Sequence, residues 1–185
     1  SDDTARLERI RGALERLNYS YDGVRDLLGE RAFEAMARDQ VVPGTWRVQN
    51  ILDDAHTTDP DRRLARMIGF FLFARTLTRA ELADALGGEP ALNDLIAAHL
   101  VEPAESDNAR TPENTGEEPQ YRAMFDLRPH SADDGTELWV ASDLGAHQRP
   151  GVLRKDHVLG IGQASLTLAQ ITERTPVARA LDVGT

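Results

Sequence analysis

The sequence predicts a mixed α+β chain with helices first and strands last. Apolar residues recur at helical spacing over most of the stretch before Val101. Capping and stop signals divide that stretch into short helices, and apolar–polar alternation replaces it from Tyr121 onward.

Leu7, Ile10, Leu14 and Leu17 form one stripe over residues 4–18, an amphipathic helix. Asp22 is placed to cap a second helix carrying Val24, Leu27 and Leu28, which Gly29 ends. Glu30 to Asp39 resumes the pattern around Phe33 and Met36, and Val41-Val42-Pro43-Gly44 is expected to break it. Asp59-Pro60 opens a helix that turns Leu64, Ile68, Phe71 and Leu72 inward. Thr78-Arg79-Ala80-Glu81 is a capping box for a helix with Leu82, Ala85 and Leu86, stopped at Gly87-Gly88. Pro90 starts a third, with Leu92, Leu95, Ile96 and Leu100. An acidic loop follows; between Glu102 and Gln120 six acids stand against Arg110. Beyond it Tyr121, Ala123, Phe125 and Leu127 share a face, and Leu138 and Val140 recur after the Asp133-Asp134-Gly135 turn.

Three helices followed by a β-hairpin is the order of a winged-helix module. Such modules can read DNA through the third helix, but here that helix has the wrong chemistry. Pro90 to Val101 contains no Arg or Lys, and its polar groups are Asn93, Asp94 and His99, with Glu89 just before. Acids set against phosphate oppose binding. Arg122 and Arg128 on the hairpin are expected to be solvated. A structural or protein-docking role is therefore expected ahead of sequence-specific DNA reading, because a fold does not by itself assign a function.

The character of the chain changes after Asp143. Gly145 to Lys155 is polar and basic, with His147, Arg149, Arg154 and Lys155, and Pro150-Gly151 marks a turn or linker. Asp156-His157-Val158-Leu159-Gly160-Ile161-Gly162 is a short apolar piece broken by two glycines. A helix is expected from Ser165 to Ile171, then Thr175-Pro176 as a break and a buried strand over residues 177–183. A glycine-bearing turn beside a strand end lets backbone amides approach a ligand, though ordinary turns use the same residues.

Leu181-Asp182-Val183-Gly184-Thr185 resembles the first motif of class I S-adenosylmethionine-dependent methyltransferases. The run from Asp156 to Gln170 resembles the segment preceding that motif in a bacterial group related to the glutamine-N5 and ribosomal-RNA guanine enzymes, whose members carry a helical, winged-helix-like N-terminal domain. The resemblance implies two units: residues 1–144, a helical winged-helix-like domain, and residues 145–185, a linker with the first helix and strand of a Rossmann-like methyltransferase domain, cut inside its first motif. It implies that Gly160, Gly162, Asp182, Gly184 and Thr185 border the S-adenosylmethionine pocket of a longer protein, the cofactor not being held by this piece alone. It implies no catalytic residue here, because the Asn-Pro-Pro-Tyr type motif that would hold the methyl acceptor does not occur in the sequence. The expected substrate is a macromolecule, a protein glutamine or an RNA base, and Arg149, Arg154 and Lys155 are the expected substrate contacts.

Composition narrows the alternatives. A net charge of −10 over 185 residues disfavours a general nucleic-acid or membrane-surface binder. The absence of cysteine excludes disulfides and fits a reducing cytoplasm. No apolar run approaches bilayer length. The five histidines (His56, His99, His130, His147, His157) show no metal-binding spacing, so no metal is expected. Ser142 and Ser165 lack the strand-elbow setting of a hydrolase nucleophile, and Asp133-Asp134 reads as turn chemistry. Trp46 and Trp139 are expected to pack in a core or domain interface. The rival readings are a DNA-binding regulator and the opening of a dinucleotide-dependent oxidoreductase, which shares the strand-turn start.

Overall fold

The computed structural model describes residues 2–104, 118–132, 135–149, 155–172, 175–179 and 181. Helices α1 (Asp2–Arg16), α2 (Tyr21–Leu28), α3 (Glu30–Met36), α4 (Val42–Asp53) and α5 (Asp59–Leu72) come first. Strand β1 (Leu77–Thr78), helices α6 (Arg79–Leu86) and α7 (Glu89–Ala97), and strands β2 (Val101–Pro103) and β3 (Gln120–Ala123) follow. The described elements end with β4 (Phe125–Ser131), β5 (Glu137–Asp143) and α8 (Gln163–Ile171). The protein is therefore mixed α+β, with helices predominating and small antiparallel sheets.

Helix α5 is the centre of the core. Thr58 caps it, accepting from the Asp61 N–H at 3.3 Å, one residue earlier than the expected Asp59. Met67, Ile68, Phe70, Phe71 and Leu72 are all inaccessible to solvent. A helix apolar around most of its circumference must be enclosed on several sides, and α2, α4, α6, β3 and β4 supply those walls. Tyr19 is sealed in against Phe71, with ring centroids 5.9 Å apart, and its hydroxyl donates to the Leu127 carbonyl at 2.7 Å. Trp139 packs as expected and donates its indole N–H to the Tyr19 carbonyl at 2.7 Å.

Several local expectations change. The Val41–Gly44 stretch does not break structure; it opens α4. Pro43 lies in the first turn, where its missing N–H costs nothing, and Gly44 lets the helix lie against Phe73. Trp46 is 70 % exposed on α4 rather than packed. Ser20, not Asp22, caps α2, accepting from the Gly23 N–H at 3.0 Å. Leu7 points to solvent while Ile10 and Leu14 of the same stripe are buried. The capping box at Thr78 and Glu81 forms as read.

Strand order in the three-stranded sheet is β1-β3-β2, all antiparallel, with Leu77 opposite Tyr121 and Val101 opposite Ala123. Strands β4 and β5 make a separate hairpin, Phe125 opposite Asp143 and Ser131 opposite Glu137. The alternation from Tyr121 to Leu127, expected as one strand, divides at Met124, whose N–H donates to Leu100 at 3.0 Å. Alternation runs unbroken through that point because Ala123 and Leu127 both face inward, and only the pairing partner changes.

Helix α8 matches the expected helix and starts two residues earlier. The expected strand over 177–183 is not seen: residues 177–179 and 181 form none, and Leu181 is 87 % exposed. A strand exists only where a ladder partner meets it, and none does among the described residues. Asp182, Gly184 and Thr185 lie outside the described residues, as do Asp133 and Asp134. Among the described residues no helix is long and apolar enough to cross a membrane.

A Cβ built on Gly44 overlaps the Phe73 ring. Gly44→Ala is expected to lower stability by about 1–3 kcal/mol through overpacking between α4 and α5. Urea unfolding measures this, and an unchanged midpoint would show that the two helices separate freely.

Candidate functional site

A cleft of about 540 Å³ opens between the β4–β5 hairpin and residues 155–162, which fold back across it. That segment is fastened at the end of β5. The Asp143 N–H donates to the Val158 carbonyl at 3.0 Å, and the Val158 N–H donates to Asp143 Oδ2 at 2.8 Å. Both glycines expected to border a cofactor pocket, Gly160 and Gly162, line this cleft. Their roles differ. A Cβ on Gly160 would lie 3.0 Å from Ser142 Oγ, so the close approach made there is to β5, whereas Gly162 faces open space.

The floor is a buried polar cluster. Asp126 and Gln148 are 6 % and 8 % exposed. Gln148 Nε2 donates to the Phe71 and Leu72 carbonyls at 3.1 and 3.3 Å and reaches Asp126 Oδ2 at 3.2 Å. Its Oε1 accepts from the Gly145 N–H at 2.9 Å. Helix ends leave carbonyls without intrahelical donors, and buried ones must be satisfied from elsewhere; the side chain of Gln148 does that for α5. Arg128 closes the cluster with a 2.9 Å ion pair to Asp126.

Three of the five histidines meet here. His130 lies two residues after Arg128 on β4, so both project from the same face. His147 comes from the turn before Gln148, and His157 from the returning segment, its Nδ1 3.8 Å from Asp143 Oδ2. Burial, and then the Arg128 charge, push the His130 imidazole below its ordinary value, only partly offset by Asp126. Spacing in the sequence gave no sign of this gathering, because the three come from a strand, a turn and an extended segment. Asp126 and Gln148 were missed for the same reason. Among the described residues no group of three or more His, Asp or Glu is placed to hold a metal ion.

Of the expected substrate contacts, Arg149 is exposed directly after Gln148, and Lys155 is exposed where the returning segment begins. Arg154 lies outside the described residues. The polar groups of α7 are turned to internal use. Asp94 takes two bonds of 2.7 Å from Arg9 of α1, and this contact is the main reason its carboxyl is held below the ordinary range. Arg79 binds Glu89 at 2.6 Å and Asn93 at 2.9 Å. The two hairpin arginines expected to be solvated are instead paired, Arg122 with Glu102 at 2.8 Å and Arg128 with Asp126.

Residues 16–112 match the family model described as Domain of unknown function (DUF7059). The chain belongs to the DUF7059 family. No curated protein and no solved structure matches it. The matched DUF7059 span runs from the end of α1 past β2, so it holds the α5 core and α7. Of the residues lining the cleft it contains only Asp39; the rest come from β4 onward.

Two outcomes test the cluster. Gln148→Ala leaves the α5 carbonyls without their donor and is expected to cost about 1–3 kcal/mol in urea unfolding. Gln148→Glu should cost more at neutral pH, since it sets a second carboxylate against Asp126; equal costs would mean that Gln148 is not seated there. For His130, NMR titration of the folded chain should give a pKa below that of the unfolded chain. The unfolded state then binds the proton more readily. The His130 contribution to stability is present above the ordinary histidine pKa and lost as pH falls through the lowered one. Arg128→Met should raise the His130 pKa, and a downward move would contradict the Arg128 contribution.

Proposed function

We propose that this chain is the substrate-positioning N-terminal part of an S-adenosylmethionine-dependent methyltransferase acting on a macromolecule, either an RNA base or a protein glutamine. Helix α8 carries the reading. Leu166, Leu168 and Ile171 place apolar groups around it, and all are exposed, Ile171 by 73 %. A short helix with this many exposed apolar groups belongs against other elements, which suits the first helix of a Rossmann-like domain laid against its sheet. The resemblance of the segment around Gly160 and Gly162 agrees with that placement, and Gly162 faces open space where a cofactor would approach.

The upstream unit suits a positioning role. The order α5–β1–α6–α7–β2–β3 with sheet order β1-β3-β2 is compatible with a winged-helix module whose wing is β2–β3. Its third helix, α7, spends Asp94, Glu89 and Asn93 on Arg9 and Arg79, which favours internal docking over reading duplex DNA. In this reading Arg149, Arg154 and Lys155 meet the substrate beside the cleft. The chain's own residues bind and orient; S-adenosylmethionine, held by the following domain, supplies the methyl group.

The test uses a longer protein that continues the motif begun at Leu181. S-adenosylmethionine, and not NAD, is expected to raise its melting temperature, and label from the methyl group should pass to RNA or protein. Protection by NAD alone would assign the oxidoreductase class. Tight, sequence-dependent retardation of duplex DNA by the chain would assign the regulator. If RNA is the acceptor, neutralising Arg149, Arg154 and Lys155 should lower the slope of log affinity against log salt by about 2. An unchanged slope would remove those three from the interface.

A further inference from the structure

We propose that the cleft between the β4–β5 hairpin and residues 155–162 is a phosphate subsite, filled in the longer protein by a phosphodiester of an RNA substrate; the phosphate chemistry stands on the cleft alone, and the RNA rests on the methyltransferase reading. Several polar groups of the lining are already engaged. Of the lining carboxylates, Asp126 is occupied by Arg128 and Gln148. Asp143 accepts from the Val158 N–H and faces His157. Asp39 is the remaining acid in the lining. The donors are less committed. Among the described residues no hydrogen bond engages the His130 or His147 rings, and His157 approaches Asp143 through Nδ1, which leaves Nε2. With two of its three carboxylates engaged and its imidazoles open, the cleft offers donors to an acceptor-rich anion. At about 540 Å³ it has room for a phosphate with its sugar.

Charge sets the condition under which it fills. With neutral imidazoles, Asp39, Asp126 and Asp143 outweigh Arg128 in the lining. Arg149 and Lys155, close in sequence to the lining residues Gln148 and His157, reduce that excess without cancelling it, because Asp156 adds a further acid. Protonation of the imidazoles would add the positive charge an anion needs, so binding is expected to tighten as pH falls from ~7.5 to ~5.5. The depressed His130 pKa fits an empty cleft that resists a second cation beside Arg128. A phosphodiester keeps one charge across that range, so any pH dependence of its binding reports the protein.

The experiment measures binding of a short unstructured RNA and of inorganic phosphate to the chain at pH 5.5 and pH 7.5. RNA is expected to bind at least ~10-fold more tightly at the lower pH, the effect of roughly one proton taken up over part of that interval. The variant His130→Gln with His147→Gln should reduce the difference to within ~2-fold. His147→Gln alone alters an exposed ring, so it keeps the test valid if the double variant unfolds, and it should lose part of the difference. Histidine-dependent binding of inorganic phosphate without RNA binding would retain the phosphate site and remove the strand as its source. RNA binding insensitive to pH and to both variants would overturn the subsite, as would equal binding of an acidic peptide. Methyl transfer by the longer protein reads the other premise. Its absence, with the subsite behaving as expected, would discard the methyltransferase reading alone; transfer to RNA unaffected by the variants would discard the subsite alone.

Discussion

The structure depends on enclosing the C-terminal half of α5. Met67 through Leu72, Gly69 included, are shut off from water. Such burial drives folding through the removal of apolar surface. It also removes solvent from the last carbonyls of the helix, and these then need protein donors. Gln148, far along the chain, provides them at Phe71 and Leu72. The same amide contacts Asp126 and accepts from Gly145, so enclosing one helix end fixes the base of the hairpin and the turn that follows it.

The cleft is a consequence of that closure. Asp126 has to be buried beside Gln148, and Arg128 offsets its charge; the alternation of a strand then places His130 on the same face as both. The returning segment adds His157 by pairing with Asp143. Two polar systems therefore sit on different parts of the molecule. Around α7 the charges are consumed in docking, with Arg9 on Asp94 and Arg79 on Glu89. Around the hairpin the acids are engaged while imidazoles remain open. The first arrangement fixes helices to one another, and the second leaves groups able to meet a ligand.

Legibility in the sequence followed the range of the interaction responsible. The capping box at Thr78 and Glu81 and the glycine stop after Leu86 involve groups within a few residues of one another and formed as read; the prolines of α5 and α7 do lie in first helical turns, each helix starting one residue earlier than read. The Val41–Gly44 stretch was misread because proline and glycine are ambiguous punctuation. Proline is as welcome in a first helical turn as in a break, and Gly44 answers to Phe73, which local reading does not see. The division of strands at Met124 was invisible because the inward-facing period passes through it unchanged.

By itself the sequence determined the class of the fold, the capping box and glycine stop of α6, the inward faces of α5 and α6, and the excess of acid. Those properties depend on local propensity, period and charge count. Tertiary structure alone decided that three scattered histidines share one cleft, that Gly160 serves β5 while Gly162 stays open, and that Trp46 faces solvent while Trp139 does not. Each of these depends on which distant segment arrives beside a residue, and no window along the chain contains that information.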